Sequence, residues 1–224
     1  MNWLEDCERV WDWFQRFDLT KELKKNKGIV IWKNFFPPKV AEALLKELES
    51  TEVWNQTIHA EEDLEQNGVR HSFASTKQGT VLSSAIRAIS LLRPQAALAF
   101  SAAKYEGFDF IEPHDDRKEV SVLENSGRVR MYERDVALVY YLTKDWNVGF
   151  GGQFCDLAGN KEIVPEFNSA VAFQIPRMHQ VKPVLEGKTR FSVFGWFLKP
   201  LCSESSSGKR KRSNNDNNKK KSKS

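Results

Sequence analysis

The stretch VALVYYLTKDWNVGFGGQFCDLAGNKEIVPEFNSAVAFQI, Val136–Ile175, decides the fold class. It contains three short apolar runs, Val136–Leu142, Gln153–Leu157 and Ala170–Ile175, separated by segments rich in Gly, Asn, Asp and Pro. Each run is too short for a helix and rich in β-branched and aromatic residues, so each reads as a strand. Two more runs of this kind flank the stretch, Ala97–Tyr105 and Arg190–Leu198. Upstream of Pro94 the pattern changes. Leu4, Cys7, Val10, Trp11 and Phe14 recur at helical spacing, as do Val40, Leu44, Leu45 and Leu48 behind Pro37-Pro38, and Leu82, Ala85, Ile86 and Ile89 before Pro94. Gly28–Trp32 reads as a buried strand, and Asn55–Thr80 as a long polar loop holding at most one strand pair. Helices first and short strands afterwards predict a mostly β fold with flanking helices, an antiparallel sandwich or barrel.

Composition narrows the function. The 224 residues carry 34 basic and 30 acidic side chains, a net charge of +4. Ser203–Ser224 alone holds eight Lys/Arg and two acids, so the preceding body is slightly acidic and gives no composition-level reason to expect nucleic-acid binding. No apolar run approaches the ~20 residues of a membrane span, so no membrane partner is expected. The opening MNWLEDCERVWDWF lacks the basic and then apolar order of a signal peptide. Cys7, Cys155 and Cys202 share no metal-binding spacing. The expectation is an intracellular protein, in nucleus or cytoplasm: an N-terminal helical segment over 1–27, a catalytic body over 28–200 and a disordered basic tail over 201–224. Within the tail, Lys209–Arg212 and Lys219–Lys221 resemble a nuclear-localisation signal, and the same lysines offer phosphate contacts.

Four histidines are present. His59 and His71 fall in the polar loop and read as solvated. His114 and Asp116 are two residues apart, so on an extended chain their side chains share a face. A distant histidine, His179, would complete a two-histidine, one-carboxylate set, which leaves coordination positions open and is diagnostic of non-haem Fe(II) oxygenases. Arg190 and Ser192 are also two apart. A buried arginine is costly unless paired, so Arg190 in an apolar strand calls for an anion, with Ser192 and Tyr141 as further donors. A lone H-x-D triplet is weak evidence, but its order with a tyrosine strand, a Gly-Gly turn, a histidine and Arg-x-Ser is specific. Gly149–Gly152 reads as a turn, since it lacks the Lys-Ser/Thr of a phosphate loop.

From about Gly28 to Pro200 these residues resemble the 2-oxoglutarate, Fe(II)-dependent dioxygenases of the prolyl-hydroxylase group. Ala103-Lys104-Tyr105-Glu106 leading to His114-Asp115-Asp116, and His179-Gln180-Val181 with Arg190–Phe197, are similar to the intracellular ribosomal-protein prolyl hydroxylases. The resemblance implies a double-stranded β-helix (a jelly roll, cupin-like). It implies Fe(II) on His114, Asp116 and His179, and 2-oxoglutarate with its tail carboxylate on Arg190, Ser192 and Tyr141 and its metal-bound end near Tyr105. It adds ascorbate as an accessory factor and O2 as cosubstrate, and it implies hydroxylation of a prolyl residue in a protein or peptide of ribosomal or nuclear origin, with release of succinate and CO2. Those ribosomal enzymes carry a second oxygenase-like domain, which the segment after Pro200 does not supply. The insert Arg117–Asp135 reads as a substrate lid or as a solvated hairpin. Alternatives are a related oxygenase acting on nucleic acid or a small molecule, a zinc hydrolase, and a non-catalytic jelly-roll binding module. Nucleic-acid demethylases resemble a pattern with a second arginine six residues after the first, where this chain has Trp196.

Overall fold

Asp6 and Asp18 start the first two helices by accepting the backbone N–H three residues on, from Arg9 at 3.2 Å and from Lys21 at 3.0 Å. In the computed structural model, which describes residues 3–58, 68–124 and 126–201, these are α1 (Cys7–Phe14) and α2 (Leu19–Lys25). Helix α1 buries Val10 and Phe14, but Cys7 and Trp11 are exposed, so its apolar face is narrower than the spacing predicts. Helix α2 lies in the lysine-rich part of the N-terminal segment, where the sequence shows no apolar stripe; only Leu19 and Leu23 are buried, one turn apart.

Strand β1 (Ile29–Lys33) and helix α3 (Pro38–Glu49) follow as expected, the proline sitting in the helix's first turn where no N–H is needed. The loop beyond holds one strand pair, β2 (Asn55–Ile58) with β3 (Val69–Ala74). Helix α4 (Val81–Ser90) is fastened to α3 by Glu47, whose carboxylate accepts the N–H groups of Val81 at 2.7 Å and Leu82 at 3.0 Å. An acid at a helix N-terminus satisfies donors that the helix itself cannot.

The remaining strands are β4 (Ala97–Tyr105), β5 (Phe110–His114), β6 (Glu119–Leu123), β7 (Val129–Tyr141), β8 (Phe154–Asp156), β9 (Lys161–Ile163), β10 (Ser169–Gln174), β11 (His179–Val181) and β12 (Arg190–Pro200). All five apolar runs of the second half became strands. They form a sheet in the order β1-β10-β7-β12-β4-β3-β5-β11-β8-β9, with antiparallel neighbours. The sheet curls over on itself: Phe173 of β10 touches His179 of β11 and Phe154 of β8, with ring centroids 4.6 and 5.2 Å apart, although many strands separate them in sheet order. The fold is mostly β, with the curled antiparallel sheet of a double-stranded β-helix.

Both faces of the central strands are covered, and alternation along β7 shows how. Leu138 and Tyr140 pack with Phe35, Phe36 and the helices, whereas Ala137 and Tyr141 pack inward with Phe154, Val171 and Phe173. Each fully buried aromatic in the outer layer contributes about 2 kcal/mol by leaving water. Asn168, at a left-handed φ of 59°, ties that layer down. Its Oδ1 accepts from the Phe36 N–H and the Tyr140 hydroxyl, and its Nδ2 donates to the Phe36 carbonyl at 2.8 Å. Of the basic tail only Leu201 is described; His59 and the rest of the tail lie outside the described residues.

Candidate active site

His114 ends β5 and His179 begins β11, and the two strands pair so that these residues stand opposite each other. Each imidazole is fixed by its backbone partner: His114 Nδ1 lies 2.8 Å from the Glu112 carbonyl and His179 Nδ1 2.7 Å from the Arg177 carbonyl. A carbonyl can only accept, so Nδ1 carries a proton in both rings, and Nε2, the atom facing Asp116, is bare whenever the ring is neutral. The Asp116 oxygens lie 3.5 Å from His114 Nε2 and 3.6 Å from His179 Nε2. All three donor atoms fall within 4.8 Å of one another, close enough to share one metal ion.

The reason Asp116 arrives there differs from the one its spacing suggests. Its φ is +64°, so the chain leaves the extended conformation after His114, and alternation along a strand does not bring the pair together. A left-handed residue turns the carboxylate back over the strand end, a conformation that aspartate tolerates better than most residues.

Burial acts against charge throughout the cluster. It pushes His179 down, with the neighbouring His114 adding to the effect, to about 4. Burial also opposes charge on His114, but the hydrogen bond and negative charge of Asp116 outweigh it and hold the imidazole above its ordinary value. Asp116 is itself disfavoured by burial, yet the two histidines keep it below the usual carboxylate range. A neutral His179 beside an ionised Asp116 is a ligand set ready for a divalent cation.

A second polar cluster lies on β12 and its two neighbours. Arg190 stands opposite Tyr105 of β4, and Ser192 stands opposite Tyr141 of β7. Here the two-residue alternation holds: Arg190 and Ser192 are each 1% exposed and line one cavity with the three metal-ligand candidates. The Arg190 guanidinium donates to the Gly152 carbonyl and packs 4.2 Å from the Tyr105 ring centroid and 5.4 Å from that of Tyr141. Its Nε and the Ser192 hydroxyl have no hydrogen-bond partner. Buried donors left open this way fit an anion such as a carboxylate. Burial, offset in part by the Arg190 charge, pushes the Tyr105 hydroxyl well above its ordinary value and that of Tyr141 up to about 12, so both stay neutral donors.

The cavity, about 870 Å³, is lined by Arg190, by the His-Asp-His cluster and, where it meets solvent, by the exposed Arg117 and Lys118, with Arg134 behind them. His71, read as solvated, is 8% exposed and stacks on Tyr105 with centroids 4.9 Å apart. Val69, His71 and Phe73 all face the cavity, a period of two that marks β3 once it is recognised as a strand. Arg134, read as part of a charged insert, lies 3.4 Å above the Trp196 ring, with Nη1 3.4 Å from Asp116 Oδ1.

Outside the cavity, Asp156 holds the loop that carries His179. It is 2% exposed and takes a bidentate contact from Arg177, at 2.8 Å from Nε and 2.6 Å from Nη2. Replacing Asp156 with Asn is expected to cost about 3 kcal/mol in chemical denaturation, the lower side of breaking a buried pair because Arg177 keeps some solvent contact. The same change should weaken Mn(II) binding about tenfold, because the Arg177 carbonyl orients His179.

Comparison with known proteins agrees with this geometry. Residues 100–198 match the family model described as the 2OG-Fe(II) oxygenase superfamily, and that span contains all seven residues of the two clusters. Over these residues the chain is matched as a 2OG-Fe(II) oxygenase domain. Solved structures with the same fold include a prolyl-4-hydroxylase from Pseudomonas putida (23% identity, TM-score 0.58, covering 76% of this chain and 91% of that one). Another is the prolyl hydroxylase of Trichoplax adhaerens in complex with a hypoxia inducible factor oxygen degradation domain peptide (20% identity, TM-score 0.59, covering 88% and 93%). A third is a viral collagen prolyl hydroxylase from Paramecium Bursaria Chlorella virus-1 (14% identity, TM-score 0.52, covering 76% and 95%). The dioxygenase superfamily implies Fe(II) and 2-oxoglutarate, and the His-Asp-His cluster and open anion donors fit that pair.

Proposed function

We propose that this dioxygenase hydroxylates a prolyl residue of a protein or peptide. In this reading His114, Asp116 and His179 hold Fe(II), while Arg190, Ser192 and Tyr141 hold the tail carboxylate of 2-oxoglutarate and Tyr105 borders its metal-bound end. The observation that carries the reading is Arg190: a fully buried arginine with an open Nε, at the closed end of the cavity that also holds the His-Asp-His cluster. Iron and 2-oxoglutarate, when bound, would activate O2, one oxygen atom entering a substrate C–H bond and the other entering succinate as CO2 is released.

The chain's own residues bind, orient and keep the site dry. Arg190 and Ser192 fix one end of the cosubstrate, which sets the direction of the other end toward Asp116. Phe154 and Phe173 pack against the His179 ring at 5.1 and 4.6 Å, excluding water from that side. The mouth at Arg117, Lys118 and Arg134 is the side from which a target residue enters. A prolyl substrate is supported by likeness to prolyl hydroxylases, one of them with a bound peptide. Trp196, where nucleic-acid demethylases have a second arginine, faces the cavity under Arg134 and favours a protein substrate over a nucleic acid.

The test is incubation with Fe(II), 2-oxoglutarate, ascorbate and proline-containing peptides, reading succinate and a mass gain of one oxygen atom on the peptide. Gain on proline supports the reading. Succinate with no modified peptide would contradict it.

A further inference from the structure

The insert Arg117–Asp135 is an antiparallel hairpin of β6 with the first part of β7. It projects from the cavity mouth, since Arg117 and Lys118, the two residues before β6, line that mouth. Among the described residues β6 pairs with β7 alone, so its other edge is open.

The hydrogen-bond pattern fixes which groups that edge presents. Lys118 O accepts from the Arg134 N–H at 3.2 Å, and the Glu124 N–H donates to Arg128 O at 2.9 Å. Antiparallel pairs alternate, so Lys118, Val120, Val122 and Glu124 bond toward β7, and the backbone groups of Glu119, Ser121 and Leu123 point outward. The side chains of those three share a face with Glu133, Met131 and Val129, their respective cross-strand partners. On that face Leu123 is 71% exposed, Val129 67% and Met131 40%. Exposed apolar side chains beside an open strand edge, joined without a break to the cavity mouth, form a surface for an extended chain.

We propose that the open edge of β6 takes up an extended segment of the protein substrate as an added strand, with an apolar substrate side chain seated on Leu123, Val129 and Met131. The proposal rests on the reading of the site as a protein hydroxylase. Continuity with the mouth is what assigns the edge to the substrate. Leu123 lies seven residues beyond Asp116, so the apolar anchor falls about seven residues from the hydroxylated one in an extended chain.

The open edge can be closed selectively. In Ser121→Pro the lost N–H is one that points outward, so the ladder to β7 keeps its bonds. Leu123→Asp removes the apolar seat. The probes are two sets of synthetic peptides of varied sequence around a central proline. One extends about ten residues to each side, enough to pass Leu123 in an extended chain, and the other is cut back to the proline's immediate neighbours. Wild type should favour long peptides with an apolar residue about seven positions from the proline. Each variant should raise KM for these about tenfold, the effect of losing main-chain pairing or its side-chain seat, and leave kcat, the short set and the 2-oxoglutarate-dependent visible absorption unchanged. Equal KM values across variants and lengths would overturn the docking proposal alone. So would a wild-type dimer in sedimentation that Ser121→Pro dissociates, since a second copy would then occupy the edge. No modified peptide in either set, with succinate still formed, would overturn the hydroxylase reading and this proposal with it.

Discussion

Arg190→Met is expected to weaken 2-oxoglutarate binding by about 100- to 1,000-fold, the loss from removing one partner of a buried, charge-assisted pair. Binding is read by titration of the Mn(II)-loaded protein. The same variant should unfold at the same temperature as wild type or higher when no cosubstrate is present. Methionine fills similar space without a charge, and a buried guanidinium whose Nε lacks a partner is a cost to the folded state. An arginine kept for structure would show the opposite: lower stability with cosubstrate affinity intact. The paired measurement therefore separates the two roles, although the contacts with Gly152 and Tyr105 are lost in either case.

Gly195→Val carries the largest expected effect on stability. Gly195 sits in β12 between Leu138 of β7 and Phe100 of β4. A Cβ there would lie 2.3 Å from the Ala99 carbonyl oxygen and 2.6 Å from the Phe100 Cα, both backbone atoms that no rotamer change can move. The strands would have to part at the centre of the sheet, at a cost above about 3 kcal/mol. Urea denaturation should show the unfolding free energy fall by that amount, seen as a lower midpoint at unchanged slope. Because β12 also carries Arg190 and Ser192, cosubstrate affinity should drop in the folded fraction as well.

The parts of the site that were legible in the sequence are those governed by local periodicity. Arg190 and Ser192 share a face because β12 alternates, and their burial follows from the apolar residues around them. His114 and Asp116 stood out as candidate ligands from residue type and order, but their approach did not follow from strand geometry, because Asp116 turns through a left-handed conformation that no neighbouring residue announces. His71 was misread as solvated. Its burial depends on β3 pairing with β4 and β5, partners about 30 to 40 positions away in the chain. Helix α2 has no stripe that could be picked out as a separate element, because two leucines among five polar residues carry almost no periodic signal. The sheet order was equally out of reach, since β7, β12 and β4 come together from distant parts of the sequence and only their common burial ties them.

The central claim is that His114, Asp116 and His179 bind iron in the same cavity in which Arg190 binds 2-oxoglutarate. Its most direct test is the visible metal-to-ligand charge-transfer absorption of the protein mixed with Fe(II) and 2-oxoglutarate under anaerobic conditions. A band in wild type, absent in His179→Ala and restored in Arg190→Met only at far higher 2-oxoglutarate, is the predicted result. A wild-type protein that is folded and shows no band, or a band indifferent to both substitutions, would contradict it.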